Sequence, residues 1–238
     1  MASGKQASHP HSHGKLYVVA TPIGNLEDLS LRALRILKEV SIIACEDTRQ
    51  TLKLLNKYGL KKSLLSYYHP KEQQKIPPIM KNLKEGKDVA LISDSGTPGI
   101  SDPGYPLIKE AIEQGIQIIP LPGPSALTAA LSASGLPTHK VLFLGFPSPK
   151  KGKMKKILSS LREEDSTLVF YLPARKLHTF LNLIKDCLGN RQVVIAREIT
   201  KIHEEFIRGT SEILLEQIKD IKIKGEMTIL IQGAEKKK

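Results

Sequence analysis

Two cysteines, Cys45 and Cys187, stand far apart in the 238 residues and in no metal-ligand spacing. A disulfide framework is excluded, and reduced thiols in a reducing compartment are expected. No apolar run approaches the roughly 20 residues of a membrane span, and no secretory-leader pattern is visible. The usual dinucleotide fingerprint, G-x-G-x-x-G, does not follow the first predicted strand. Gly145 to Lys153 falls short of a phosphate-binding P-loop. Six residues rather than four separate Gly145 from Gly152, and Met154 follows the lysine. Asp94-Ser95-Gly96-Thr97 lacks the second acidic residue that an aspartyl-phosphate phosphatase carries two positions on. Acid is also in deficit: 36 Lys+Arg against 24 Asp+Glu leave a formal charge of +12. That excess favours a polyanionic partner, nucleic acid or an anionic membrane surface.

What is present is a soluble, globular composition. Hydrophobic content of 40% and charged content of 25% are ordinary, and the length suits one large or two small domains with a real core. A cytoplasmic enzyme or RNA-binding protein is the expectation. Residues 91–108, LISDSGTPGISDPGYPLI, organise the rest. Val89 to Ile92 is a short apolar run of the kind that fills a parallel sheet. It breaks into Ser93 to Gly99, a loop of small side chains in which Gly and Pro fix turns and a ligand can approach the backbone. Ligands of α/β sheets sit outside the carboxyl ends of strands, at the topological switch. Two further loops share this character: Thr21-Pro22-Ile23-Gly24-Asn25 after the first strand, and residues 120–126, PLPGPSA.

Residues 1–14 read as a polar tail in which His9, His11 and His13 could hold a metal only loosely. A strand over 15–20 leads to a helix that Ser30 can cap. A buried strand, 41–45, delivers Glu46-Asp47-Thr48-Arg49 to its carboxyl end. Residues 71–85 are predicted helical with a break at Pro77-Pro78, and a strand over 117–119 is predicted to end at Pro120. A boundary near 120–125 divides an N-terminal α/β domain, 15–122, from a C-terminal one, 123–238. Strands follow one another more often in the second half, which predicts a mainly parallel first sheet and a mixed second sheet. Lys150, Lys151, Lys153, Lys155 and Lys156 form the densest basic cluster, at the start of a predicted helix.

Seven blocks together carry a resemblance. They are TPIGNLEDLSLRAL (21–34), CEDTRQTLKLL (45–55), SDSGTPGISDPG (93–104), PGPSALTAAL (122–131), SGLP (134–137), GFPS (145–148) and REITKIHEEFIRG (197–209). In this order they resemble the tetrapyrrole-methylase-like class of S-adenosylmethionine (SAM) methyltransferases over roughly residues 15–233. Within that class they resemble enzymes that methylate the ribose 2′-hydroxyl of a cytidine in small-subunit rRNA. The sequence departs from the family pattern at Ser95, where Ala is usual, and at Pro70, where Asn is usual. After Tyr171 it has Leu172-Pro173-Ala174-Arg175 in place of the family's Glu, Ser, Pro, His, Arg.

The resemblance implies two α/β domains with the cofactor in a cleft between them, no metal, a homodimer, and small-subunit rRNA, within the assembled subunit, as partner. It places Ile23, Gly24, Asp94, Thr97, Gly99, Ser125 and Ala126 around SAM, with Tyr171, Leu172 and Thr228 on the adenosine side. A side chain at Gly99 is expected to fill the loop. Methyl transfer from a sulfonium is an in-line displacement that needs positioning, and the ribose hydroxyl must lose a proton to a nearby base. Glu46, Asp47, Asp94, Glu198 and Lys201 are candidates for that role, whereas Arg49 and Arg197 are better suited to phosphate. A same-class enzyme acting on a tetrapyrrole precursor or a protein side chain is the alternative; the charge and the Glu46–Arg49 block argue against it. A non-catalytic RNA-binding module is a third reading, against which the intact small-residue loops argue.

Overall fold

The computed structural model describes residues 13–219 and 224–235. Most of the N-terminal tail, with His9 and His11, lies outside them, and His13 is exposed. The described chain forms two compact units. One runs to Pro22 and resumes over Leu26–Pro124; the other holds Ile23–Asn25 and the chain from Ser125 on.

The first unit alternates strand and helix: β1 (Leu16–Val19), α1 (Leu31–Glu39), β2 (Ile42–Cys45), α2 (Thr48–Lys57), β3 (Ser63–Ser66), α3 (Glu72–Lys84), β4 (Val89–Ile92), α4 (Tyr105–Glu113) and β5 (Ile118–Leu121). Ser30 caps α1, its side chain accepting a bond from the Ala33 N–H at 3.1 Å. All five strands are parallel, in the order β3-β2-β4-β1-β5. Alternate residues serve opposite faces. Tyr17, Val19, Ile43, Cys45, Ala90 and Ile92 pack with α1 and α2 through Ala33, Ile36, Leu37 and Leu55. Leu16, Ala44, Val89 and Leu91 pack with α3 and α4 through Ile79, Leu83, Leu107 and Ala111. Burial on both faces is why these strands read as continuous apolar runs.

The predicted break in α3 does not occur; the helix runs unbroken through Pro77 and Pro78. Each ring removes an N–H and crowds a carbonyl, ordinarily a cost of about 3 kcal/mol. Here Ile76, Ile79, Met80 and Leu83 form the buried stripe, while both prolines, Gln73 and Gln74 are exposed. The stripe holds the helix across the gap, and the carbonyls that lose their donors lie on the solvent side. Strand β5 likewise continues through Pro120 instead of ending before it. It is an edge strand paired only with β1, where a missing N–H is tolerated.

The second unit contains α5 (Ala126–Ser134), β6 (Val141–Gly145), α6 (Lys151–Ser160), β7 (Thr167–Pro173), α7 (Leu177–Leu188), β8 (Gln192–Arg197), β9 (Glu205–Thr210), α8 (Ser211–Gln217) and β10 (Glu226–Ile231). Its sheet is mixed, in the order β6-β7-β10-β8-β9, with only the β6–β7 pair parallel. Helices α6, α7 and α8 cover one face through Met154, Leu158, Phe180, Leu181, Ile184 and Leu214. Helix α5 packs on the other through Ala130, against Val169, Val194, Ala196 and Leu230. Arg208 of β9 donates to the carbonyls of Ala133 (2.6 Å) and Ser134 (3.2 Å), satisfying the carboxyl end of α5.

Candidate active site

In the first unit, β1 and β4 are neighbours, but the helices that follow them lie on opposite faces of the sheet. This is a topological switch point, and ligands of α/β sheets bind outside the carboxyl ends of strands at such a point. The loops there are tied together. The Thr21 N–H donates to the Gly96 carbonyl at 2.8 Å, and the Gly96 N–H donates back to the Thr21 carbonyl at 3.0 Å. The Thr21 hydroxyl, buried, also donates to the Ser93 carbonyl at 3.0 Å. Thr97 Oγ1 donates to the Pro124 carbonyl at 3.3 Å, holding the far side of the loop. Gly99 adopts φ +81°, so a side chain there is strained, although its Cβ would touch only Ile108 Cδ1 at 3.9 Å. Backbone conformation, not the crowding expected from the sequence, is what requires glycine.

Three carboxylates gather at this edge. Glu46 and Asp47 follow β2, and Asp94 follows β4. Asp94 Oδ1 accepts from the Asp47 N–H at 3.0 Å, joining the two loops. Asp47 caps α2, accepting from the Arg49 N–H at 2.8 Å, and its Oδ2 meets Arg49 Nη2 at 2.7 Å. These bonds to Arg49 hold the Asp47 carboxyl down at about 2. Its contribution to stability is present above the ordinary aspartate range and lost as pH falls toward that value. Partial burial, then the charges of Asp94 and Asp47, push the Glu46 carboxyl up. Burial also raises Asp94, against the Asp47 N–H that lowers it. Neighbouring carboxyls whose environments drive them apart are the usual mark of divided acid–base roles. Arg49, its side chain 86% exposed, carries a guanidinium toward solvent.

In the second unit, Ile23–Asn25 packs against the turn after β8. A Cβ on Gly24 would sit 2.5 Å from Lys201 Cγ and 2.8 Å from Thr200 Oγ1, so only glycine allows this approach. The Asn25 N–H donates to Thr200 Oγ1 at 3.0 Å. Glu198 (φ +49°) and Thr200 (φ +67°) both adopt left-handed backbone, a strain of the kind found at functional sites. Lys201 Nζ lies 3.0 Å from Glu198 Oε1 and 3.6 Å from Glu226 Oε2. Burial acts against both charges, but the Glu226 N–H and Lys201 hold Glu198 below its usual range. The Glu198 and Glu226 carboxylates hold Lys201 above its own.

Tyr171 and Thr228 are cross-strand partners on β7 and β10, and Thr228 is buried. Leu172 points the other way; it is 1% exposed, in the core beneath α7. Only its main chain is left for a ligand, because strand side chains alternate between faces. Ser125 is the N-cap of α5 but makes no side-chain capping bond, and Ala126 opens the helix. The structure thus groups Glu46, Asp47, Arg49, Asp94, Thr97 and Gly99 in one unit, and Gly24, Ser125, Ala126, Tyr171, Thr228, Glu198 and Lys201 in the other. Sequence reasoning missed Thr21, Thr200 and Glu226, whose work is done by main-chain bonds and long-range contacts. Glu72 was also missed: its charge acts on Glu46, and it accepts from the Gly104 N–H at 3.1 Å.

Residues 15–214 match the family of Tetrapyrrole (Corrin/Porphyrin) Methylases. A Thermotoga maritima protein named ribosomal RNA small subunit methyltransferase I is 46% identical over 222 residues, 93% of this chain and 100% of that protein. A protein of the same name from a Hydrogenobaculum species is 50% identical over 91% of this chain and 95% of its own length. Among solved structures, the methyltransferase CobJ superposes with a TM-score of 0.68 at 18% identity, covering 94% of this chain and 96% of CobJ. Uroporphyrin-III C-methyltransferase from Thermus thermophilus, complexed with S-adenosyl homocysteine, gives 0.62 at 18% identity, covering 91% and 97% of the two chains. These two show the shared fold. A family match over most of the chain, together with relatives at this identity and coverage, places the protein: the chain belongs to the tetrapyrrole (corrin/porphyrin) methylase family.

Proposed function

We propose that this protein is a SAM-dependent methyltransferase that methylates the ribose 2′-hydroxyl of a cytidine in 16S rRNA. The observation that carries this reading is the near-full-length likeness to proteins named ribosomal RNA small subunit methyltransferase I. The formal charge of +12 supports a polyanionic substrate. The assembled small subunit is the proposed substrate, the cytoplasm the proposed setting and a homodimer the proposed state. No described helix is long and apolar enough to cross a membrane. The direct test is to incubate the protein with methyl-labelled SAM and naked 16S rRNA, assembled small subunits or a tetrapyrrole precursor. Label in cytidine 2′-O-methyl groups is expected; label in the tetrapyrrole alone would sink the proposal. Light scattering is expected to give twice the chain mass, and a single-chain mass would contradict the dimer.

The residues fit such a cofactor on two observations. The loops at the β1–β4 switch point are small-residued and fixed by the Thr21–Gly96 bonds. The first turn of α5 has no side-chain cap, so its N–H groups suit a carboxylate. SAM supplies an electrophilic methyl group on a sulfonium. The chain's own residues supply position and a proton acceptor. Glu46 is the proposed base: burial and the charges of Asp94 and Asp47 raise its carboxyl, whereas Arg49 lowers Asp47, the Glu226 N–H and Lys201 lower Glu198, and Asp94, also raised, is engaged by the Asp47 N–H. Lys201, held protonated by Glu198, is a poor acceptor and acts in positioning Ile23–Asn25. Arg49 is the proposed phosphate contact.

Two substitutions test the cofactor loop. Asp94→Ala removes a carboxylate and the acceptor of the Asp47 N–H. Charged hydrogen bonds are worth about 1.5–3 kcal/mol, so SAM affinity is expected to fall roughly 10- to 100-fold. Gly99→Val forces a β-branched residue into φ +81°, a strain of about 1–3 kcal/mol. Calorimetric titration that finds both affinities unchanged would remove this loop from the site.

A further inference from the structure

We propose that the turn after β6 and helix α6 form a platform for a single-stranded segment of the RNA substrate, with a base stacked on Phe146 and phosphates on Lys150, Lys151 and Lys155. The inference rests on the rRNA reading above and adds where the RNA lies. Phe146 is 61% exposed, whereas its neighbours Gly145 and Pro147 are buried and anchor the turn on both sides. Its ring stands edge-on to Tyr171 at 5.6 Å, and Tyr171 stands edge-on to Phe143 at 5.0 Å. An aromatic ring is thus held outward between buried neighbours and against half-buried rings, with much of its area open to a ligand. Such a ring loses little freedom when a flat partner stacks on it.

The chain then runs directly into α6. Met154 and Leu158 seat the helix in the core. Lys151 and Lys155 stand one turn apart on its flank, with Lys153 and Lys156 outward and Lys150 at the N-cap; all five are exposed. Among the described residues none of the five forms an ion pair, whereas Lys140, Lys185 and Lys201 of the same unit each do. No acidic residue occupies the first turn of α6. Cations at that end oppose the helix dipole, so the cluster weakens the helix that carries it. An external anion supplies the missing partner. A basic stripe beside an open aromatic ring is how unpaired nucleic acid is held: phosphates meet the cations and a base stacks on the ring. A duplex, whose bases are already stacked, offers the ring nothing.

The two halves of the platform have separable signatures in plots of RNA affinity against salt. The probes are naked 16S rRNA and a short single-stranded oligoribonucleotide. Phe146→Leu keeps an apolar side chain but removes the stacking surface. It is expected to lower affinity about 5- to 100-fold at every salt concentration without changing the slope, and Phe146→Tyr is expected to restore it. A variant with Lys150, Lys151 and Lys155 all changed to Gln is expected to flatten the slope by about 0.7 for each phosphate no longer neutralised. Its thermal stability should not fall, because the lysines oppose the dipole, and its SAM affinity should hold. Equal RNA affinity for Phe146→Leu, or parallel salt plots for the lysine variant, would overturn the platform. If the unaltered protein still methylates rRNA in that case, the functional reading stands without it. If the unaltered protein neither binds nor methylates rRNA, either naked or in assembled small subunits, the functional reading fails first and the platform with it.

Discussion

Glu46→Gln is expected to lower the rate of methyl transfer about 10²- to 10⁴-fold, the span that general-base catalysis contributes, while SAM affinity is retained. The glutamine keeps the shape of the side chain and removes only its capacity to accept a proton. The same substitution is expected to raise stability at neutral pH. Burial and the charges of Asp94 and Asp47 hold the Glu46 carboxyl above its usual range. A raised carboxyl favours the folded state below the ordinary glutamate value, and that advantage is lost as pH rises through the raised value. Neutralising the group removes the penalty on the ionised form. Activity of the unaltered enzyme should rise with pH along its acidic limb as Glu46 ionises, and that limb should vanish in Glu46→Gln. Single-turnover rates measured across pH, with thermal melts beside them, decide the matter. A variant with normal rate and an unchanged acidic limb would transfer the base role to another carboxylate.

Phe170→Ala is expected to destabilise the second unit by about 3–5 kcal/mol, a large fraction of the roughly 5–15 kcal/mol that holds a domain folded. Phe170 lies in β7, is fully buried, and meets the ring of Phe180 on α7 edge-on at 5.0 Å. Its removal leaves a cavity between sheet and helix that a strand and a helix held by many neighbours cannot close. Phe170→Leu should recover most of the loss. Denaturant titration should show a lower midpoint with an unchanged slope. A loss under about 1 kcal/mol would place the ring outside a packed core. Tyr171, one residue on, faces the opposite side of the sheet, toward Phe143.

Element types were legible in the sequence because the patterns that mark them are local. The four-residue apolar runs of β2 and β4, the helical spacing of Leu34 and Leu37, and the Ser30 cap each act within one turn or one strand. So were the two sheet types, since alternating strand and helix forces parallel pairing, and successive strands permit antiparallel pairing. The small-residue loops and the Glu46–Arg49 block could be placed at strand ends for the same reason. The resemblance of seven ordered blocks to one family was also a property of the sequence alone.

Tertiary structure decided the rest. Pro77 and Pro78 read locally as a break, but a four-residue buried stripe outweighs the two missing bonds. Leu172 reads as a ligand contact, but strand register turns its side chain into the core, and only its backbone remains. The candidate bases look alike in sequence. They are told apart by Arg49 beside Asp47, the Glu226 N–H and Lys201 beside Glu198, the Asp47 N–H on Asp94, and the burial and like charges that raise Glu46. The tie between Thr21 and Gly96 joins residues 75 positions apart. Such contacts are set by strand order, which no local pattern encodes, and so are the proton affinities that depend on them.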